Sequence, residues 1–304
     1  MKVRQWMLVL LLAAVAAPAA FAAQPKARHV VLVACDGWGS YSLRKADKAT
    51  IPNIAGLMSR GAWTLKDRAV LPSASAINWA SMFMGVPTEL HGYTQWNSQK
   101  PDIKPNLLNE HGIAPTIFSE LRRQRPDARI DVVAEWGGIG HLIDRKAVDS
   151  YFLVPGKYEE KPNAIIDEAV RLIREEKPTL LAVCIDQLDH VGHGQGHDTP
   201  AYYKKLAAID GYVGRILKAI DEAGMAKDTV VILTADHGGI KKGHGGKSLE
   251  EMEIPFILAG PAVKAVGEFD AAMMQYDCAA VIADLLGVEA PAGWRGRAYP
   301  QLLK

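Results

Sequence analysis

Hydrophobic positions along this chain fall into two patterns. The first is the short unbroken run. His29-Val30-Val31-Leu32-Val33-Ala34-Cys35 stops at Asp36-Gly37. Thr179-Leu180-Leu181-Ala182-Val183-Cys184-Ile185 stops ahead of Asp186 and Asp189. Thr229-Val230-Val231-Ile232-Leu233-Thr234 leads to Asp236-His237. Runs of this length with no polar alternation predict strands buried on both faces. Ile130–Ala134 and Pro255–Ala259 predict two more. The second pattern has helical spacing, over Pro52–Arg60, Ile117–Gln124, Ala164–Glu175, Pro200–Ala223 and Ala271–Leu286. Strands alternating with helices predict an α/β fold with a mainly parallel sheet covered on both sides. In such sheets, chemistry gathers beyond the carboxyl ends of the strands. Asp36, Asp189 and the pair Asp236-His237 are thereby expected at one edge.

The start of the chain reads differently. Lys2 and Arg4 precede an apolar run, Met7 to Val15, that is too short to span a bilayer. Ala20-Phe21-Ala22 then gives a small-x-small pattern before Gln24 and Lys26. This is the pattern of a secretory signal, residues 1–22, removed on export to the periplasm or the exterior. The remainder, 23–304, shows no repeat, linker or low-complexity tract, and a single catalytic domain is expected, with no membrane span after cleavage.

The formal net charge is +1. No basic stripe offers a track for a nucleic-acid backbone, which argues against a nucleic-acid-binding surface. The expected partner is a small molecule. Cys35, Cys184 and Cys278 each lie in an apolar segment without zinc-ribbon spacing, so they read as buried free thiols; a Cys35–Cys184 bridge would have to cross two central strands.

The candidate chemistry lies in Asp36, Asp189, His193, Asp236, His237 and His244. Asp189 and His193 are one helical turn apart, and carboxylate oxygen with imidazole nitrogen suits zinc, manganese or iron. Six such residues suit two ions better than one. Taken singly, an Asp after a strand is often only a helix cap. Ser73 and Ser75 precede a helix expected over Ala76–Met84. Read locally, either serine could be an N-cap; alternatively, a serine at a helix start has backbone N–H groups beside it that would hold a phosphoryl oxygen.

These residues fall into segments that resemble the alkaline phosphatase superfamily, within it the type I phosphodiesterase / nucleotide pyrophosphatase branch. The segments are Val33-Ala34-Cys35-Asp36-Gly37; Pro72-x-x-Ser75-x-x-Asn78 with Gly85-x-Pro87-x-x-x-His91-Gly92; Asp189-His190-Val191-Gly192-His193; Thr234-Ala235-Asp236-His237-Gly238; and Gly243-His244-Gly245. The resemblance implies a three-layer αβα sandwich of alkaline phosphatase type. It also implies two divalent ions, zinc foremost. Asp189, His193 and His244 would hold one, and Asp36, Asp236 and His237 the other. Ser75 would be the nucleophile, passing through a phosphoseryl intermediate, with Asn78 bonded to a phosphoryl oxygen. His190, His197 and Asp186 are rivals near the same motif, but only Asp189 and His193 fit its spacing.

Departures from the family shape the substrate expectation. The phosphodiesterases usually carry threonine at the position of Ser75. Sulfatases of the same fold need Cys-x-Pro-x-Arg or its serine equivalent, which Ser75-Ala76-Ile77-Asn78 is not. Monoesterases commonly place Lys-x-Arg after the strand that follows the nucleophile helix. Here Glu135-Trp136-Gly137-Gly138 follows instead, similar to the Trp-Pro-Gly-Ser of the phosphodiesterases, while Arg145-Lys146 comes later. The resemblance therefore implies a small phosphodiester or pyrophosphate substrate, ahead of a phosphomonoester or phosphonate. Trp79, Trp96 and Trp136 are candidate walls for its organic group. An inactive relative would typically have lost a ligand or the nucleophile, and none is missing.

Overall fold

Alternate residues of the first strand, β1 (His29–Cys35), serve two different cores. Val30, Leu32 and Ala34 join one apolar cluster, and Val31, Val33 and Cys35 join another on the opposite face. This is the computed structural model's basic plan, and it describes residues 24–156 and 160–304. The expected export signal, residues 1–22, lies outside the described residues. Among the described residues, no helix is long and apolar enough to cross a membrane.

Eight strands form one sheet in the order β4-β3-β5-β1-β6-β7-β2-β8. They are β2 (Ala62–Arg68), β3 (Ile130–Ala134), β4 (Ser150–Leu153), β5 (Leu180–Ile185), β6 (Thr229–Ala235), β7 (Glu253–Ala259) and β8 (Gly267–Glu268). From β4 to β6 all neighbours are parallel; β7 runs antiparallel to both β6 and β2. The sheet is mainly parallel, as the alternation predicts.

Helices cover both faces and complete a three-layer αβα sandwich. On one side Ser75–Met84, Ile117–Gln124 and Asp277–Leu286 bury Phe83, Phe118 and Ile282 against the sheet. On the other side Pro52–Arg60, Ala164–Glu175 and Pro200–Glu222 bury Leu57, Ile173 and Ile216. The helix Pro52–Arg60 lacks a side-chain cap of its own. The buried Asp210, from another helix, accepts the N–H groups of Asn53 and Ile54 at 3.3 and 2.7 Å. A carboxylate there satisfies orphan donors and meets the positive end of the helix dipole.

The last predicted helix is shorter than its apolar spacing suggests, because it begins only at Asp277. Residues just before it are diverted to β2: Arg68 donates its N–H to Met273 O and accepts that of Gln275. Cys35, Cys184 and Cys278 are buried free thiols.

Candidate metal and nucleophile site

β1, β5 and β6 lie side by side, so the residues that follow them meet at one edge. Asp36, Asp236 and His237 are almost wholly buried, and one ligand atom from each lies within 4.8 Å of the others. His237 Nε2 is 3.3 Å from Asp36 Oδ1 and 3.4 Å from Asp236 Oδ2. A second cluster, with the same 4.8 Å limit, joins Asp189, His193 and His244. Asp189 and His193 share one face of the helix Gln187–Gln195, with His193 Nε2 3.1 Å from Asp189 Oδ2. His244 comes from the glycine-rich loop and brings its Nε2 to 3.1 Å from that of His193. Its ring stacks on His237 at 3.9 Å between centroids, which joins the two clusters.

Each imidazole is oriented by a main-chain carbonyl at its Nδ1. His193 bonds Lys242 O at 2.9 Å, His237 bonds Gly238 O at 2.8 Å, and His244 bonds Ser73 O at 3.1 Å. A carbonyl only accepts, so Nδ1 carries a proton and Nε2 faces the cluster, the arrangement found behind metal-binding histidines. Asp36 Oδ1, Asp189 Oδ1 and Asp236 Oδ2 are buried without a hydrogen-bond partner. Buried charge of this kind is tolerated when it is paired or holds a metal.

Electrostatics say the same. Burial, then the neighbouring Asp236 and Asp189, pushes the Asp36 carboxyl well above the ordinary range. Burial and Asp189 do so to Asp236. Burial, with His244 beside it, pushes His237 down to about 3. Burial lowers His244 as well. His193 goes the other way, up to about 9, because it is hydrogen-bonded to Asp189. Burial alone would lift Asp189, but the imidazoles around it, His193 first and then His197, His237 and His244, outweigh it and hold this carboxyl well below its usual value. A bound cation would replace the protons that burial favours on Asp36 and Asp236 and relieve the crowding of the acids. The donor set fits two divalent ions, one per cluster.

Ser75 is the first residue of its helix, and its Oγ lies 3.3 Å from His237 Nε2. The cap position belongs to Ala74, and no side chain caps this helix. The local N-cap reading therefore fails for both serines. Ser73 Oγ donates to Gly246 O at 2.7 Å, and Ser73 O receives His244 Nδ1. Ser73 thus anchors the loop that carries His244, a function that its place before a helix did not signal.

Ser75, Asp189, His193 and His244 open onto a cavity of about 650 Å³, whose other walls include Trp96 and Trp136. Trp96 is 58% exposed. Its carbonyl accepts the N–H of Ala76 at 3.0 Å, which ties this wall to the helix that begins at Ser75. Trp136 lies across Gly138, where an added Cβ would fall 2.2 Å from the indole.

Two expectations need correction. Trp79 is not a cavity wall: it is 1% exposed, and its Nε1 donates to Asp36 Oδ2 at 3.1 Å. It faces inward from the helix and orients a cluster carboxylate. Asn78 does not face the cavity either. Its Oδ1 accepts Val70 N–H at 2.7 Å, and its Nδ2 donates to Pro72 O and Ala74 O at 3.1 Å. Its amide hydrogens are taken up by carbonyls of Val70, Pro72 and Ala74 in the segment that leads to Ser75, leaving none for a phosphoryl oxygen. Arg145 is also committed elsewhere, 4.1 Å above the Tyr151 ring.

The family described as type I phosphodiesterase / nucleotide pyrophosphatase matches residues 30–242. The chain belongs to this family. The matched span holds every cluster residue except His244. Ectonucleotide pyrophosphatase/phosphodiesterase family member 1 of Rattus norvegicus is 24% identical over 196 residues, covering 62% of this chain and 21% of that protein. The catalytic subunit of GPI ethanolamine phosphate transferase 2 of Homo sapiens is 27% identical over 157 residues, 50% of this chain and 16% of that one. The chain thus spans about a fifth of the length of these relatives. Murine ectonucleotide pyrophosphatase / phosphodiesterase 5, solved in an inactive form with AMP, superposes with a TM-score of 0.70 at 15% identity, covering 91% of this chain and 100% of that one. A 2-O GAG sulfatase gives 0.72 at 15% identity, over 91% of this chain and 74% of the other. At this identity the two structures speak for the fold.

Proposed function

We propose that this protein hydrolyses small phosphodiesters, with Ser75 as nucleophile. The observation that carries the reading is the position of Ser75 Oγ, in the wall of a cavity where two Asp/His clusters meet. Asp36, Asp236 and His237 would hold one divalent ion and Asp189, His193 and His244 the other; when bound, such ions polarise phosphoryl oxygens and lower the pKa of an attacking hydroxyl. The mixture of three carboxylates and three imidazoles suits zinc best.

Ser75 Oγ forms a bond to phosphorus as the ester bond opposite breaks, and the departing alcohol takes up the serine proton. Water then cleaves the phosphoserine and returns a proton to Ser75. The start of the helix Ser75–Met84 contributes N–H groups to the phosphoryl oxygens. Asn78 keeps the preceding loop in place, and Trp79 holds Asp36 in orientation.

The cavity favours a diester. Among the described residues, no lysine or arginine lines it, so the extra charge of a monoester dianion would find no side-chain cation there. Trp96, Trp136 and Ile77 instead offer apolar surface to an organic substituent. The pattern of residues 1–22 supports export of the enzyme.

Turnover of bis(p-nitrophenyl) phosphate, p-nitrophenyl phosphate and the p-nitrophenyl ester of a nucleoside monophosphate, on one preparation with and without chelator, tests this. We expect the diesters to be preferred and chelator to stop the reaction. Faster turnover of the monoester would move the assignment to a monoesterase. No turnover of any ester by protein loaded with divalent ion would remove the hydrolase reading.

A further inference from the structure

His197 belongs to neither cluster, yet its side chain is fully buried directly behind Asp189. The chain makes room for it with glycine. A Cβ added at Gly192 would fall 2.3 Å from the His197 ring, and one added at Gly239 would fall 2.3 Å from Nε2. The ring is thus held in a slot between the helix that carries Asp189 and His193 and the turn after His237, with Tyr202 beside it at 5.6 Å between centroids.

Its polar atoms point to a role. Lys241 O accepts the backbone N–H of His197 at 2.6 Å and so has a donor without the ring, whose Nδ1 is 3.2 Å away. On the other side, Nε2 lies 3.4 Å from Asp189 Oδ1, and each of these two buried atoms lacks a hydrogen-bond partner. A bare Nε2 would set two acceptors face to face, leaving each unsatisfied. A proton on Nε2 serves both at once. The second oxygen of Asp189 turns the other way, 3.1 Å from His193 Nε2 and 3.9 Å from His244 Nε2.

We infer that His197 is a positioning residue: it donates Nε2–H to Asp189 Oδ1 and leaves only Oδ2 for the ion in the Asp189–His193–His244 cluster. This rests on the two-ion site proposed above. The consequence is a carboxylate that binds through one oxygen. One carboxylate oxygen with two imidazoles is the three-ligand, open-position set of catalytic zinc sites, whereas a carboxylate free to bind through both oxygens suits larger ions such as calcium. A donor behind a metal ligand typically governs affinity by about 10–100-fold.

The test begins with the wild-type, ion-free protein. Correlation of imidazole nitrogens with their protons by NMR should find His197 protonated at Nε2; a bare Nε2 would overturn the inference. Ion affinities are then measured by competition with a chromophoric chelator. His197→Phe fills the slot without a donor and should weaken one of the two ions by about 10–100-fold while leaving the other near wild type. His197→Gln restores an N–H donor and should recover most of the loss. A folded His197→Phe protein that binds both ions as tightly as wild type would show His197 to be packing alone. An Nε2 that coordinates cadmium in the loaded protein would make it a ligand, which also overturns the inference. Should His197→Phe not fold, the proton position and His197→Gln decide. A wild-type protein that binds no divalent ion counts against the two-ion site instead, and the ion-free NMR measurement still settles the His197–Asp189 bond.

Discussion

Ser75 and Ser73 are two positions apart, and the proposed mechanism gives them separate roles. Ser75→Ala should abolish covalent phosphorylation and cut turnover by several orders of magnitude, with both ions retained because no cluster residue is touched. Quenching the reaction in acid and mapping the labelled peptide checks this; phosphate recovered on Ser73 would sink the assignment. Ser73→Ala removes the donor to Gly246 O, at about 1 kcal/mol of stability. It should act on the chemistry only indirectly, by loosening the loop of His244, so the ion in that cluster should be lost at lower chelator concentration while Ser75 still becomes phosphorylated. His244→Ala removes the ligand itself and should lower turnover strongly with little change in circular dichroism. The cluster residues were legible because three of their four segments follow strands that the apolar runs mark plainly. The resemblance placed Asn78 on a phosphoryl oxygen, and aromatic character made Trp79 a candidate wall; neither carries the direction in which the side chain points. Helical spacing says which residues share a face with Ser75, but not whether that face meets the cavity, the preceding loop or the core.

Among the elements, β2 escaped the sequence reading because Lys66, Asp67 and Arg68 make its second half polar. Its pairing with β7 shifts register between Thr64 and Asp67. Asp67 is 1% exposed, and neither of its carboxyl oxygens has a partner. Burial, reinforced by Asp277, pushes its pKa well above the ordinary carboxylate value. The sign follows from proton linkage. In the unfolded chain this carboxyl ionises near its ordinary value of 3.8, while in the folded protein it stays protonated to higher pH. Above the unfolded pKa the folded state binds more protons, so this group makes stability fall as pH rises. Asp67→Asn should therefore narrow the decline. Its stability relative to wild type, from urea unfolding, should increase from acid toward neutral pH; a difference independent of pH would show Asp67 already ionised in the fold. The edge strand β4 was missed for a simpler reason. Its burial is only partial, so no unbroken apolar run marks it. The central strands, buried on both faces, could not be missed for the same reason in reverse.

At the scale of the whole molecule, the two clusters sit where three strands, one helix and one loop converge, and their side chains cross-brace elements far apart in sequence. Without ions, Asp36 and Asp236 are buried at 2% and 0% exposure beside a histidine that burial keeps neutral. Desolvation of those acids opposes folding, so the folded ion-free chain carries a penalty that an unfolded chain does not. Ions that bind only the folded state relieve it, and the gain follows mass action: about 2.7 kcal/mol for each site held at one hundred times its dissociation constant. The melting temperature should accordingly rise in two separable steps as zinc is added to chelated protein, with elemental analysis giving about two ions per chain at saturation. Each step can be assigned. His244→Ala should weaken the step of the Asp189 cluster, since that site keeps only Asp189 and His193, while the other step stays intact. Ser75→Ala should leave both. A chain that melts at the same temperature with and without divalent ions would mean that the buried acids are satisfied by protons alone, and the pairing of ion binding with folding at this edge of the sheet would fall.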